Sequence, residues 1–229
     1  MTSFRYVVDN LGGNTVANIL KSGIKDGSIC SVATAYFTVS GFDLIADSLE
    51  KCEGLRLLLG SEPGSDPLRM TILDVWRNID IRQSPRQAQR AVEFFSRGDI
   101  EVRLHPGPFF HGKTYILNHP KPDFSSSPKA EEELTDADRL KPRIELPSER
   151  PRPTSLMYSG RKISKGDGAF SLVGSSNFTY GGLLQNAELN LLDARGESVI
   201  ELLTWFEERW QKSKDIKGDF TKLLQGYYR

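Results

Sequence analysis

The stretch SICSVATAYFTV runs from Ser28 to Val39, and LRLLLG runs from Leu55 to Gly60. Both are apolar, as buried strands are. Between them, Gly41 to Cys52 places apolar residues such as Phe42 and Ile45 three residues apart, which predicts a helix. Strand, helix and strand in this order are typical of a parallel α/β layer.

The segments around this core extend the same pattern. Apolar residues recur at helical spacing from Asn14 to Lys25, from Leu73 to Ile79 and from Pro85 to Gly98, and Ile100 to Leu104 alternates as a strand. The sequence therefore predicts an α/β fold with a mixed, largely parallel β-sheet and helices on both faces.

The second half of the chain continues with strands and ends with helices. Strands are predicted from Phe109 to Leu117, from Ala169 to Val173 and from Ala187 to Asp193. A helix is predicted from Glu197 to Lys212, followed by a short C-terminal helix.

One long segment does not fit this pattern. From about 119 to 154 the chain is rich in Pro, Ser, Glu, Lys and Arg and has almost no apolar periodicity, which predicts a flexible insertion. Because no internal repeat is present, we expect residues 1–229 to form a single domain with this insertion.

Composition sets limits on the class of protein. The 229 residues are 38% apolar, and 30 basic residues balance 30 acidic ones, so net charge indicates no particular partner. Cys30 and Cys52 are the only cysteines, which fits a reducing compartment. The N-terminus has no export-signal pattern, and no apolar run is long enough to span a membrane, so we expect a cytoplasmic protein without a membrane partner.

Three short motifs contain the candidate chemistry. His111 and Lys113 are two residues apart on a predicted strand, so their side chains should project from the same face. Gly174–Asn177 (GSSN) follows the next core strand, and Asn186–Glu188 (NAE) comes about ten residues later. Singly, each motif is weak: a histidine on a strand is usually structural, and Gly/Ser/Asn turns are common.

Together the motifs form a plausible phosphate site. Ser175, Ser176 and Asn177 offer hydroxyl, amide and backbone donors for phosphate oxygens, and Lys113 can neutralise their charge. Glu188 could accept a hydrogen bond from one ring nitrogen of His111 and make the other nitrogen more basic. Glu188 could equally be part of the polar face of a strand.

This arrangement resembles the phospholipase D superfamily, whose signature is H-x-K, four residues and Asp, then G-S-x-N and a glutamate. The segments VATAYFTVSGFDLIADSLE and LRLLLGSEP also resemble the phospholipase D-like nuclease domains that are fused to helicases or found in restriction enzymes. The sequence departs from the signature in two ways. Asn118 stands at the Asp position, where the family has a mainly supporting residue, and the spacer before Gly174 is tens of residues longer than in compact members.

The resemblance implies a phosphodiesterase that uses two such motifs, with one histidine attacking phosphorus and the other protonating the leaving oxygen. The chain holds one motif, and neither of its other histidines, His105 and His119, is followed by a G-S-x-N partner. A homodimer would supply the second histidine. The resemblance implies no metal requirement and no cofactor.

The nuclease resemblance favours DNA as the substrate, cleaved by an endonuclease of low intrinsic specificity. It leaves open a helicase or ATPase partner in restriction or phage defence. Basic residues could contact the nucleic-acid backbone or simply be solvated: Arg150, Arg152, Arg161 and Lys162. Two alternatives remain open: a catalytically silent nucleic-acid-binding module, and a phospholipase acting on lipid head groups.

Overall fold

The computed structural model describes residues 6–60, 85–106, 110–118, 155–158, 161–164, 169–194 and 196–226. The strands are β1 (Val7–Val8), β2 (Ile29–Thr34), β3 (Gly54–Leu59), β4 (Ile100–Leu104), β5 (Thr114–Asn118), β6 (Ser155–Tyr158), β7 (Arg161–Ser164), β8 (Phe170–Gly174), β9 (Asn190–Asp193) and β10 (Lys214–Asp215). The helices are α1 (Val16–Gly23), α2 (Val39–Leu49), α3 (Pro85–Ser96), α4 (Gly196–Gln211) and α5 (Lys217–Gln225). A π-helical turn spans Gly181–Gln185.

One sheet dominates the fold, with the strand order β1-β9-β8-β5-β2-β3-β4-β10. The β2–β3 and β3–β4 pairs are parallel, and the other pairs in this sheet of described strands are antiparallel. The expectation of a mixed sheet is confirmed, but its largely parallel character is wrong. Helical crossovers join the strands of the parallel pairs, whereas β5 is antiparallel to both β2 and β8, and β8 is antiparallel to β9.

Helices cover both faces of the sheet, as predicted. On one face, a cluster centred on Phe37 includes Phe95, Phe178 and Phe220, whose ring centroids lie 5.3–5.6 Å from that of Phe37. Phe37 is fully buried, so its role is in the core. On the opposite face, α4 packs its apolar side against Ala33 and other buried residues of the central strands.

The chain crosses the carboxyl ends of the parallel strands just before β5. A Cβ added to Gly60, directly after β3, would lie 2.4 Å from the carbonyl oxygen of Phe110. This close approach allows only glycine at position 60 and brings the segment that carries His111 to the edge where β2 and β3 end. Functional groups of α/β sheets commonly collect at this edge.

Several boundaries differ from the sequence predictions. The strand predicted from Phe109 begins only at Thr114, and β6 and β7 form an antiparallel hairpin that contacts α4 and was not predicted. The predicted helix 73–79 and the predicted insertion 119–154 lie outside the described residues. Among the helices that are described, none has the length and apolar character needed to cross a bilayer.

Candidate active site

Strand pairing brings the three motifs together at one edge of the sheet. Thr114 pairs with Val173 across β5 and β8, and the backbone N–H of Gly174 donates to the carbonyl of Lys113 at 3.3 Å. Gly174 in turn pairs with Asn190 on β9. The H-x-K, G-S-x-N and N-x-E segments are therefore neighbours, although up to 77 positions separate them in sequence (111 to 188).

His111 and Lys113 lie in the segment that leads into β5, not on a strand as predicted. His111 is exposed, whereas Lys113 is only 6% exposed. Lys113 Nζ donates to the carbonyl oxygen of His111 at 3.1 Å, which links the two residues directly. Partial burial and the positive charge of Lys113 lower the pKa of His111, so a neutral, nucleophilic imidazole is favoured.

Lys113 is a cation in a largely enclosed position. Its burial lowers the pKa of the ammonium group, while the negative charge of Glu188 acts in the opposite direction. An ammonium group has three N–H donors, and the bond to His111 uses one. Lys113 is thus suited to bind an anion through its other N–H groups.

Glu188 and Ser175 form a hydrogen-bonded pair. The Ser175 hydroxyl donates to Glu188 Oε2 and accepts from the backbone N–H of Leu189 at 3.0 Å. The backbone N–H of Glu188 donates to the carbonyl of Asp9 at 3.3 Å. Glu188 thus positions the serine and counters the charge of Lys113, while the hydrogen bond from His111 to Glu188 stays a prediction.

Asn177 is tied to the end of β2. Its side-chain oxygen accepts from the Thr34 hydroxyl and from the backbone N–H of Tyr36, both at 3.3 Å. With the oxygen engaged there, the amide nitrogen is the group of Asn177 that can donate to a phosphate oxygen. Thr34 also accepts from the backbone N–H of Phe178 at 3.0 Å, so it fixes the turn that carries Asn177.

Ser176 points into the protein and has a supporting position. It is fully buried, and its hydroxyl accepts from Asn190 Nδ2 at 2.8 Å, while Tyr115 donates to its carbonyl at 3.1 Å. Asn190 also reaches the carbonyl of Val8 at 3.2 Å. In the sequence, an asparagine between two leucines looks like the polar face of a strand, so the supporting role of Asn190 is not apparent there.

Two glycines in this region are required by close packing. A Cβ on Gly174 would lie 2.2 Å from the carbonyl oxygen of Leu189, and one on Gly182 would lie 2.5 Å from that of Asn177. Gly182 belongs to the π-helical turn that follows the G-S-x-N motif, and such turns occur frequently at functional sites. The first glycine is part of the motif, and the second was not identified from sequence.

Asn10 was also missed, although it fastens this turn to the N-terminal segment. Its Nδ2 donates to the carbonyls of Gly182 at 2.9 Å and Asn186 at 3.1 Å, and its Oδ1 accepts from the backbone N–H of Val16 at 2.9 Å. Its φ is +62°, a conformation that asparagine tolerates better than most residues. A lone Asn-Leu-Gly-Gly stretch looks like an ordinary loop, so the sequence gave no signal.

Asn118 ends β5 and is 2% exposed. Within the described part of the chain, neither Nδ2 nor Oδ1 of Asn118 has a hydrogen-bond partner. A carboxylate at this position would be a buried charge without a partner among the described residues. A neutral amide in the same place has a smaller desolvation cost. This environment gives a physical reason for Asn in place of Asp.

Of the four basic residues predicted to contact nucleic acid, two lie on described strands. Arg150 and Arg152 lie outside the described residues. Arg161 and Lys162 are on β7, in the hairpin that contacts α4. Their role stays a prediction.

At one edge of the sheet the site thus combines an exposed histidine with a lowered pKa, an enclosed lysine, and serine and asparagine donors. Such a group can bind the non-bridging oxygens of a phosphodiester, offset its charge and present a nucleophile to phosphorus. It has the components needed for phosphoryl transfer to an imidazole.

Comparison with known proteins agrees with this chemistry. The family model described as cardiolipin synthase, PLD-like domain, matches residues 20–210. No curated protein matches the sequence. Solved structures with similarity include NucT from Helicobacter pylori (10% identity, TM-score 0.46, 87% of this chain and 90% of that one) and Nuc from Salmonella typhimurium, a phospholipase D family member (13%, 0.45, 87% and 87%). Phosphatidylserine synthase from Haemophilus influenzae is a third (14%, 0.46, 96% and 43%).

Proposed function

Since the chain belongs to the phospholipase D-like family and is an enzyme of the phosphodiesterase type, we propose that it is a metal-independent DNA endonuclease that acts as a homodimer. The observation that carries the proposal is the meeting of Lys113, Ser175, Asn177 and Glu188 beside His111 at one sheet edge. DNA is favoured over lipid by the resemblance of the N-terminal strand, helix and strand to nuclease domains.

The proposed reaction has two displacements at phosphorus. An imidazole nitrogen of His111 forms a bond to phosphorus as the bond to the leaving oxygen breaks, and a second histidine gives that oxygen its proton. Water then attacks the phosphohistidine, the nitrogen–phosphorus bond breaks, and the second histidine takes the proton from water. Lys113 neutralises the phosphate and Asn177 donates to its oxygens, and the Ser175 hydroxyl turns its one proton from Glu188 to a phosphate oxygen.

A second copy of the chain would supply the second histidine. Three large apolar side chains beside the site are exposed: Val173 by 39%, Leu189 by 67% and Leu191 by 53%. Val173 pairs with Leu191 across β8 and β9, and Leu189 lies next to Glu188. A twofold contact through this surface would bury the three side chains and bring two sites together.

A partner protein is a further part of the proposal. The similarity to nuclease domains that accompany helicases suggests that an ATPase subunit or domain recruits this endonuclease to DNA, for example in restriction or phage defence. Residues 107–114 (GPFFHGKT) match the letters GxxxxGK[ST], but Thr114 begins strand β5, whereas a nucleotide-binding loop of this type leads into a helix, so coupling to ATP hydrolysis would depend on that partner.

The test is incubation with supercoiled plasmid in excess EDTA, with wild type, His111→Ala and His119→Ala side by side. The proposal expects nicking or linearisation by wild type and by His119→Ala, and none by His111→Ala. Cleavage that persists in pure His111→Ala protein would exclude this mechanism.

If none of the proteins cleaves, two further measurements separate the alternatives. Salt-sensitive DNA binding that His111→Ala does not change would indicate a binding module. Release of head groups from phospholipid vesicles, lost in His111→Ala, would indicate a phospholipase.

A further inference from the structure

A stack of aromatic rings holds the residue next to His111. Phe110 is buried, and its ring centroid lies 5.0 Å from that of His105 after β4 and 5.9 Å from that of Trp205 on α4. Arg209 extends the stack, since its guanidinium carbon lies 4.2 Å from the ring centroid of Trp205 and Nη1 donates to the Trp205 carbonyl at 3.0 Å. The stack therefore connects α4 to the segment that precedes β5.

The same rings close over Gly112. A Cβ at this position would lie 2.8 Å from Phe110 Cζ and 3.3 Å from Trp205 Cη2. Phe110 and Gly112, the residues on both sides of His111, thus lie against Trp205, while the imidazole itself is exposed. This packing explains the glycine in His-Gly-Lys without reference to substrate.

Regular strand structure does not reach His111, because β5 begins only at Thr114. Packing of Phe110 and Gly112 and the bond from Lys113 to the His111 carbonyl contribute to holding its backbone. A displacement of about 1 Å at a reacting group can cost roughly a hundredfold in rate, so such packing matters for an attacking histidine.

We propose that Trp205 is a positioning residue for His111, acting through Phe110 and Gly112. The proposal rests on the proposed function, because it requires His111 to be the attacking group. Trp205 lies 94 positions after His111 in the sequence and belongs to none of the three motifs. It makes α4 a support for the catalytic segment as well as a cover for the sheet.

The positioning role predicts a change in the pKa of His111, which a general loss of stability does not. Burial and Lys113 lower the pKa of His111 in the packed segment. If the segment loosens, the pKa rises towards the ordinary histidine value, and a higher pH is needed to deprotonate the nucleophile. The acid limb of the pH–rate profile should then move to higher pH.

The experiment compares Trp205→Leu, Trp205→Phe and Trp210→Leu by kcat, KM, pH–rate profile and ¹³C NMR titration of His111, at a temperature where melting curves show each to be folded. Trp210→Leu is the matched control, because Trp210 is on the same helix and stacks on Phe206 at 5.4 Å. We expect Trp205→Leu to lower kcat about tenfold to a hundredfold with little change in KM, and to raise the pKa of His111. Trp205→Phe should keep kcat and the pKa of His111 close to their wild-type values. Trp210→Leu should leave the pKa of His111 unchanged.

Wild-type kcat and an unchanged His111 titration in folded Trp205→Leu would overturn the positioning role. If Trp205→Leu does not fold, the titration of Trp205→Phe decides: a small upward shift of the His111 pKa supports the proposal, and none overturns it. Loss of activity in His111→Ala with wild-type behaviour of Trp205→Leu would remove only the positioning role. Full activity in His111→Ala would remove the proposed function as well.

Discussion

The protonation of His111 depends on its neighbour Lys113. Burial lowers the pKa of the imidazole, and the charge of the nearly enclosed ammonium group, which bonds to the His111 carbonyl at 3.1 Å, lowers it further. An attacking histidine must be neutral, and a lowered pKa keeps it so at neutral pH. The cation that binds phosphate thus also prepares the nucleophile.

Replacement of Lys113 by Met should raise the pKa of His111, because the positive charge is lost while the side-chain volume is kept. The measurement is an NMR titration of the His111 imidazole, with Lys21→Met as the control at an exposed lysine. Activity should be lost in Lys113→Met, since the phosphate loses its counter-charge. An unchanged His111 titration would show that Lys113 does not act on the imidazole.

Asn118→Asp should destabilise the protein, since the carboxylate would be buried without a hydrogen-bond partner among the described residues. Burial raises the folded-state pKa of such a carboxyl above its unfolded value. The cost is therefore absent at low pH and grows as pH rises through the two pKa values, to about 1–3 kcal/mol. Urea unfolding at pH 5 and pH 8 measures it.

Asn118→Leu is the control for that experiment, because it has similar size and no polar group; it should cost less than Asn118→Asp at pH 8. Equal stability of wild type and Asn118→Asp at pH 8 would show that a cation or donor satisfies the carboxylate.

Among single residues, the motif residues could be identified from the sequence, but the residues that hold them in place could not. The predicted site residues His111, Lys113, Ser175 and Glu188 form a connected group through hydrogen bonds and electrostatic contact. Thr34, Asn190 and Asn10 could not be identified, because their roles depend on burial and on partners as many as 182 positions away. A single sequence does not show such pairs.

Among the elements, the turn after β8 has the most demanding geometry. It combines the G-S-x-N motif with a π-helical turn, and Asn10 joins it to the segment before α1. The Asn186 carbonyl that Asn10 binds is two residues before Glu188. The N-terminal segment is therefore part of the support of the site.

Asn10→Ala should lower the free energy of unfolding by about 2–4 kcal/mol, because buried hydrogen bonds are lost and alanine is strained at φ +62°. Urea unfolding measures this loss, and a plasmid-cleavage assay should show reduced activity. Asn10→Gly loses the same side-chain hydrogen bonds without the backbone strain. Its free energy of unfolding should therefore lie between those of wild type and Asn10→Ala. Wild-type stability of Asn10→Gly would mean that these hydrogen bonds contribute nothing.

The elements near the first half of the sheet were predicted well, because helical crossovers and apolar runs give clear periodicity. For example, β4 begins and ends where predicted, and α3 begins at Pro85. The direction of β5, β8 and β9 was not predictable, since alternation of apolar residues carries no information on strand direction. The β6–β7 hairpin was missed because it follows directly on a polar segment.

At the level of the whole molecule, the proposed reaction requires two copies of the chain. A single chain offers one H-x-K motif with its G-S-x-N partner, whereas the proposed reaction needs two histidines. The exposed side chains of Val173, Leu189 and Leu191 lie beside the site and offer a surface for the second copy.

Leu191→Lys should convert the dimer to a monomer and abolish cleavage, because a twofold contact would place two added charges close together. Light scattering gives the mass, with the chain mass of 25.7 kDa as the reference for a monomer. Gln211→Lys adds the same charge at an exposed position on α4 and should remain dimeric and active. Full cleavage by a Leu191→Lys monomer would contradict the shared site.

The central claim is that His111 attacks phosphorus. Its most direct test is peptide mass spectrometry on wild-type protein quenched at alkaline pH during turnover of a DNA substrate in EDTA, because phosphohistidine is lost in acid. The account predicts a phosphoryl-nucleotide adduct on His111 that is absent without substrate and in Lys113→Met. An adduct on another residue, or cleavage products from His111→Ala, would contradict it.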